Sequence, residues 1–162
     1  MIKGVLILRN IDQSWYVRPE KIRVRKAAGG IIARKEEGLI YVALITESRF
    51  PDEYALPKGG IEKGENEEKA ARREIHEEAG ITYLKRISYL GKQERLSFSK
   101  KSWAVVHYFL FTTTQKYGIP TDKTKKHFLN WFEIDKIPNL FWPEQQELIQ
   151  INRQRILEAF NE

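Results

Sequence analysis

The segment that most limits the architecture is GGIEKGENEEKAARREIHEEAGI at 59–81. Read as a helix from about 66 to 78, it places Ala71, Ile75 and Ala79 on one face that can dock on a sheet. Gly80 follows in the position that favours a left-handed cap. Apolar and β-branched runs on either side predict strands at 4–8, 22–34, 39–46, 84–95, 103–113 and 130–134. A second helix is predicted from about 143 to 160, with Pro143 in its first turn and Leu148, Ile149, Ile156, Leu157 and Phe160 on roughly one face. Strands before, between and after two helices imply a mixed sheet covered on both faces, an α/β or α+β class. A chain of 162 residues fits one domain, 1–162, with 1–22 as an N-terminal β extension or a dimer contact.

Charge and composition narrow the partners. The net charge is +6 and the sequence pI near 9.4, a balance that favours nucleotides, nucleic acid or anionic lipid surfaces as partners. No apolar run approaches the roughly 20 residues of a membrane span. The start, MIKGVLILRN, has too short an apolar core for a secretory signal and no small-residue cleavage site, so the expected compartment is the cytoplasm. The absence of cysteine excludes disulfides, thiolate metal sites and a cysteine nucleophile.

Against that basic background, glutamates crowd one helix. Glu74, Glu77 and Glu78 stand at i, i+3 and i+4, so their carboxylates share a face. Like charges at this spacing repel by up to roughly 0.5 kcal/mol per pair. The cluster is either a solvated surface laced by Lys69, Arg72 and Arg73, or a holder of a hard divalent cation such as Mg²⁺. PKGG at 57–60 places small residues where backbone must turn tightly or approach a ligand, and Glu65 precedes the helix by one turn.

Together these residues resemble the Nudix hydrolase signature, G-x5-E-x7-R-E-U-x-E-E-x-G-U with U aliphatic. Gly59, Glu65, Arg73, Glu74, Ile75, Glu77, Glu78, Gly80 and Ile81 fill every specified position. The resemblance implies an α/β/α sandwich and a pyrophosphohydrolase in which water attacks a phosphorus of a nucleoside diphosphate-linked substrate. It also implies Mg²⁺, with Mn²⁺ as a substitute, held by Glu74, Glu77, Glu78 and the backbone carbonyl of Lys58. Arg73 would orient a carboxylate, and Glu65 would be structural or a secondary electrostatic contributor. Glu74 is the expected general base, with Glu77 as the alternative.

The substrate is read from other residues. LPKGGIEKGE at 56–65, AAGGIIARK at 27–35, HYFLF at 107–111 and LNWFEID at 129–135 are similar to the dinucleoside polyphosphate hydrolase branch. That likeness implies cleavage of a compound such as diadenosine tetraphosphate into ATP and AMP, with Lys58 on a phosphate and Tyr108 stacked on a base. The other substrates left open are nucleoside triphosphates and the 5′ triphosphate end of RNA; a non-catalytic nucleotide-binding module is the third reading. The branch carries a glutamate several residues before the tryptophan matched by Trp131, where this chain has Lys125 within KTKKH at 123–127. Either Asp122 takes that role or the helix carboxylates suffice, and the lysines either bind a longer polyphosphate or are solvated. His76, His107 and His127 are dispersed and are read as surface or strand packing, while Trp15, Tyr16, Trp103 and Trp142 are read as core or interface.

Overall fold

The computed structural model describes residues 10–161. In chain order they form strands β1 (Val24–Glu36), β2 (Leu39–Glu47), β3 (Phe50–Ala55) and β4 (Lys58–Gly60), then helix α1 (Glu67–Ala79). Strands β5 (Lys85–Leu96), β6 (Trp103–Thr112) and β7 (His127–Glu133) follow, and helices α2 (Pro143–Ile151) and α3 (Arg153–Glu158) close the chain. The strands make one seven-stranded sheet in the order β3-β2-β1-β6-β5, with β4 added to β1 and β7 to β2. β1 and β6 run parallel and the other pairs antiparallel, so the sheet is mixed, as the alternation of elements implied.

Successive strand residues point to opposite faces, and here both faces are buried. Ile31, Leu44, Val106 and Leu110 meet Leu148, Ile149 and Ile156 of the C-terminal helices on one side. Ile32, Ala43, Ile45, Phe109 and Phe111 meet Ala70, Ala71, Ile75 and Ala79 of α1 on the other. The alanines let α1 lie close to the sheet, and that closeness carries the glutamates of the opposite face to the end of β4. Asn66 opens the helix, its Oδ1 accepting from the Lys69 N–H at 2.8 Å. Gly80 closes it with φ 71°, its N–H donating to the His76 carbonyl at 2.9 Å.

Three details differ from expectation. β3 and β4 had no sequence signal, because FPDEYA holds a proline and two acids and KGG is three residues long. The predicted helix over 143–160 is two helices broken at Asn152, whose side-chain amide donates to the Leu148 carbonyl at 2.9 Å and competes with the helical ladder. The strand expected at 4–8 lies outside the described residues. From 10 to 23 no strand forms; Gln13–Tyr16 make a single 3-10 turn, capped by Asp12 Oδ1 accepting from the Ser14 N–H at 2.8 Å.

Candidate active site

Arg73 is the hub of the signature segment. Its Nε and Nη2 grip the Glu65 carboxylate at 2.8 and 2.9 Å, and Nη2 also donates to the Gly60 carbonyl at 2.8 Å. Its Nη1 donates to Glu74 at 2.8 Å and, more weakly, to both Glu77 oxygens at 3.3 Å. One fork therefore ties the loop before α1, the end of β4 and two signature glutamates into a unit. The Arg73 guanidinium holds the Glu65 carboxyl down at about 2. Burial pushes the Glu74 carboxyl up, against the pull of Arg73. That carboxyl rests directly on Gly59, where a Cβ would overlap its oxygens. The signature glycine is thus a seat for the signature glutamate.

Glu78 and Lys58 form the second half of the site. Burial drives Glu78 up to about 8, opposed chiefly by the Lys58 ammonium. The same burial drives Lys58 down, with Arg95 the next cause. Both retain partial access to solvent at the surface of a cleft of about 470 Å³. Besides Lys58 and Glu78, the cleft is lined by Phe50, Phe98, Phe141 and Trp142, and by Arg49, Lys125 and His127. Phe98 and Phe141 lie 5.8 Å apart and Phe141 meets Trp142 edge-on at 5.0 Å. Glu74 opens instead onto a shallow hollow with Arg25, Lys26 and Glu62.

Tyr108 does not stack on anything that enters this cleft. It is fully buried on β6, and its hydroxyl accepts from the Gln145 amide at 3.0 Å. The Gln145 carbonyl oxygen accepts in turn from the Leu56 N–H at 2.8 Å. Tyr108 therefore braces the turn that presents Lys58. β6 is buried on both faces, so nothing in HYFLF marked which side chains face solvent. Gln145, a buried polar side chain on α2, had no signal in the sequence. The cleft's aromatics Phe50, Phe98 and Phe141 were missed because they sit in or beside turns, and Trp142, read as core or interface, reaches the cleft with only 8% of its surface exposed.

The segment after β6 folds back over the end of α1. Gln115 donates to the Gly80 carbonyl at 2.9 Å, and the N–H groups of Thr121 and Asp122 donate to the Glu77 carbonyl at 2.9 and 3.0 Å. This path brings Lys125 and His127 to the cleft. Asp122 Oδ1 caps its own turn, accepting from the Thr124 N–H and hydroxyl at 2.9 and 2.8 Å. Its other oxygen lies 3.8 Å from Nδ1 of His127, and its charge is close enough to push Glu78 further up.

The donor set suits a hard divalent cation. The three helix carboxylates are oxygen donors, and Glu78 is a largely buried acid that the opposing Lys58 ammonium does not bring back to the ordinary carboxylate range. As the side chains stand, Glu74 and Glu77 are turned to Arg73 and Glu78 faces Lys58. No three acidic or histidine side chains among the described residues converge on one point. Ion binding would need the carboxylates to turn, with their backbone already in place.

Fold and site together define a sheet-and-helix protein that sets a carboxylate helix beside an aromatic-lined cleft carrying charges of both signs, Arg49, Lys58 and Lys125 with Glu47, Glu53 and Glu78. The NUDIX domain model matches residues 23–151, so the chain belongs to the Nudix family, whose hydrolases use divalent metal ions. It is 29% identical over 145 residues to the RNA pyrophosphohydrolase of Erythrobacter litoralis, covering 80% of this chain and 88% of that protein. A shorter stretch of 59 residues is 48% identical to the asymmetrical bis(5'-nucleosyl)-tetraphosphatase of Caenorhabditis elegans, covering 36% and 43% of the two chains. The crystal structure of a C. elegans Ap4A hydrolase binary complex superposes with a TM-score of 0.68 at 28% identity, over 84% of this chain and 99% of the other. A MutT Nudix hydrolase from Burkholderia pseudomallei, 22% identical with a TM-score of 0.63 over 79% and 97% of the chains, shares the fold. The chain is a pyrophosphohydrolase of nucleoside diphosphate-linked substrates. Among the described residues no helix is long and apolar enough to cross a membrane.

Proposed function

We propose that the protein hydrolyses dinucleoside polyphosphates, diadenosine tetraphosphate giving ATP and AMP. The observation that carries this reading is the cleft, in which Lys58 and Glu78 adjoin the rings of Phe50, Phe98 and Phe141. A polyphosphate bridge needs cations, and the bases at its ends need flat faces, each stack contributing about 1–3 kcal/mol. Glu74, Glu77, Glu78 and the Lys58 carbonyl would hold Mg²⁺, with Mn²⁺ as a substitute. Such an ion supplies charge neutralisation at phosphoryl oxygens.

The chain's own residues do the rest. Lys58 binds a phosphate as a compact point charge. The water oxygen bonds to phosphorus as the bridging P–O bond breaks, and the leaving phosphate takes the electron pair. Glu74 accepts the water's proton; its burial raises its proton affinity toward the range a base needs. Glu77 is the alternative base. As the side chains stand Arg73 pairs with Glu74, and it keeps the loop at Glu65 closed on the helix.

A second reading, removal of pyrophosphate from the 5′ end of RNA, is favoured by the relative matched over most of both chains and by Arg49 and Lys125 at the cleft. A product-resolved assay with Mg²⁺ separates the two, offering diadenosine tetraphosphate, deoxynucleoside triphosphates, a nucleotide sugar and triphosphate-ended RNA. ATP and AMP appearing well ahead of other products supports the first reading; release of pyrophosphate from RNA at the higher rate overturns it in favour of the second.

A further inference from the structure

The turn at Gln13–Tyr16 precedes the matched family domain and touches the cleft by two routes. Trp15 packs with Ile22 on Leu96, Trp103 and Val105, a small core apart from those of the sheet. Its indole stacks on Phe98, with centroids 6.3 Å apart and planes 19° from parallel. The Lys100 ammonium sits 4.0 Å from the indole centroid and donates to Ser14 Oγ at 2.7 Å, fastening the turn to the β5–β6 connection. The second route starts at Tyr16, whose hydroxyl donates to Glu144 Oε1 at 2.6 Å. Glu144 Oε2 accepts from Arg95 Nε at 2.6 Å, and the Arg95 guanidinium lies 3.2 Å from the Trp142 ring centroid. Arg95 is 2% exposed, so Glu144 is its main counter-charge.

Both routes end on one surface, the wall made by Phe98, Phe141 and Trp142. We propose that Trp15 and Tyr16 are positioning residues for this wall, and that they set the affinity of the cleft for the base of a nucleotide. Phe98 stands on a connection and is 45% exposed; Phe141 lies tilted against its ring, and Trp15 adds a near-parallel stack. Trp15 selects the orientation in which Phe98 continues the Phe141 surface. Tyr16 keeps Glu144 on Arg95, and Arg95 keeps Trp142 flat. A wall ordered before binding loses less side-chain entropy when a base stacks on it. For Trp15 the gain falls on binding of the base and leaves the bond-breaking step and the phosphate contacts as they were, whereas the Tyr16 route also passes Arg95 and Glu144, whose charges act on Lys58. The inference rests on the reading that a base occupies this wall.

The test compares two ligands with Mg²⁺ present, a methylene-bridged non-hydrolysable ATP analogue and base-free tripolyphosphate, each titrated by calorimetry. Wild-type protein should prefer the analogue, and Trp15→Ala should reduce that preference by about tenfold, the loss of part of one stack. Tripolyphosphate affinity should stay within about twofold. Trp15→Phe should restore most of the preference, and Tyr16→Phe, which removes only the hydrogen bond to Glu144, should give a smaller loss in the same direction. Thermal melting of each variant shows that the fold is intact. An unchanged preference in both Trp15→Ala and Tyr16→Phe overturns the proposal, as does a parallel loss of both ligands in folded Trp15→Ala protein. Wild-type protein with no preference for the analogue overturns it as well. Failure of the substrate reading appears elsewhere, as absence of ATP and AMP in the product assay.

Discussion

At the scale of single residues, the site is held by one fork and one missing side chain. Arg73 spends its donors on Glu65, Glu74 and the Gly60 carbonyl, contacts that a lysine cannot reproduce together. Arg73→Lys should lower kcat by about tenfold or more while the ammonium keeps the charge. Gly59→Ala sets a methyl where the Glu74 carboxyl rests, so it should lower kcat by roughly 10- to 100-fold with little change in substrate affinity. Steady-state kinetics at saturating Mg²⁺ checks both. Helical spacing puts Glu74, Glu77 and Glu78 on one face but fits a solvated surface as well, and only the resemblance to the Nudix signature singled them out as ion ligands. The turning of Glu74 and Glu77 toward Arg73 was not legible in the sequence, since the fork's geometry depends on where β4 runs. Tyr108 was misread for a related reason: a strand buried on both sides has no alternation from which to read direction.

At the scale of elements, α1 works because both its ends are specified. Gly80 does two things: it adopts the left-handed conformation, and it leaves room for the backbone of Gly118 and Ile119, which a Cβ there would overlap. Gly80→Ala should therefore cost more than the roughly 1–2 kcal/mol of left-handed strain alone. Denaturant unfolding measures it, and hydrogen exchange should show faster exchange of the Thr121 and Asp122 amides that pair with Glu77. The mixed sheet and α1 could be read from apolar runs and the glycine stop, because long periodic segments carry their own signal. β3 and β4 could not, being specified by pairing with β2 and β1. The close turn of Pro57–Lys58 against β1 was visible only as a run of small residues.

At the scale of the whole molecule, a basic chain concentrates its acids where a cation would sit, and pH should expose this. The Glu65 carboxyl is lowered from 4.5 to about 2, so its contribution to stability is complete above about 4.5 and disappears as pH falls toward 2. Glu65→Gln should flatten the acid limb of a thermal-stability profile in that window. Glu78 has the opposite sign. Raised to about 8, it keeps a proton that the unfolded chain releases above 4.5, so without a cation it costs progressively more stability as pH rises from 4.5 to 8. An ion competes with that proton, and the increase in melting temperature given by a fixed Mg²⁺ concentration should therefore grow with pH up to about 8. Glu78→Gln should remove the pH dependence of that increase.

The most direct measurement is the rate of nucleotide hydrolysis against Mg²⁺ concentration, for wild-type protein and the Glu77→Gln/Glu78→Gln double variant. The carboxylate helix predicts a saturable Mg²⁺ dependence in the wild type, and in a folded double variant a fall of at least about 100-fold, roughly 2.7 kcal/mol of transition-state stabilisation. A double variant that kept the full rate at low Mg²⁺ would contradict it.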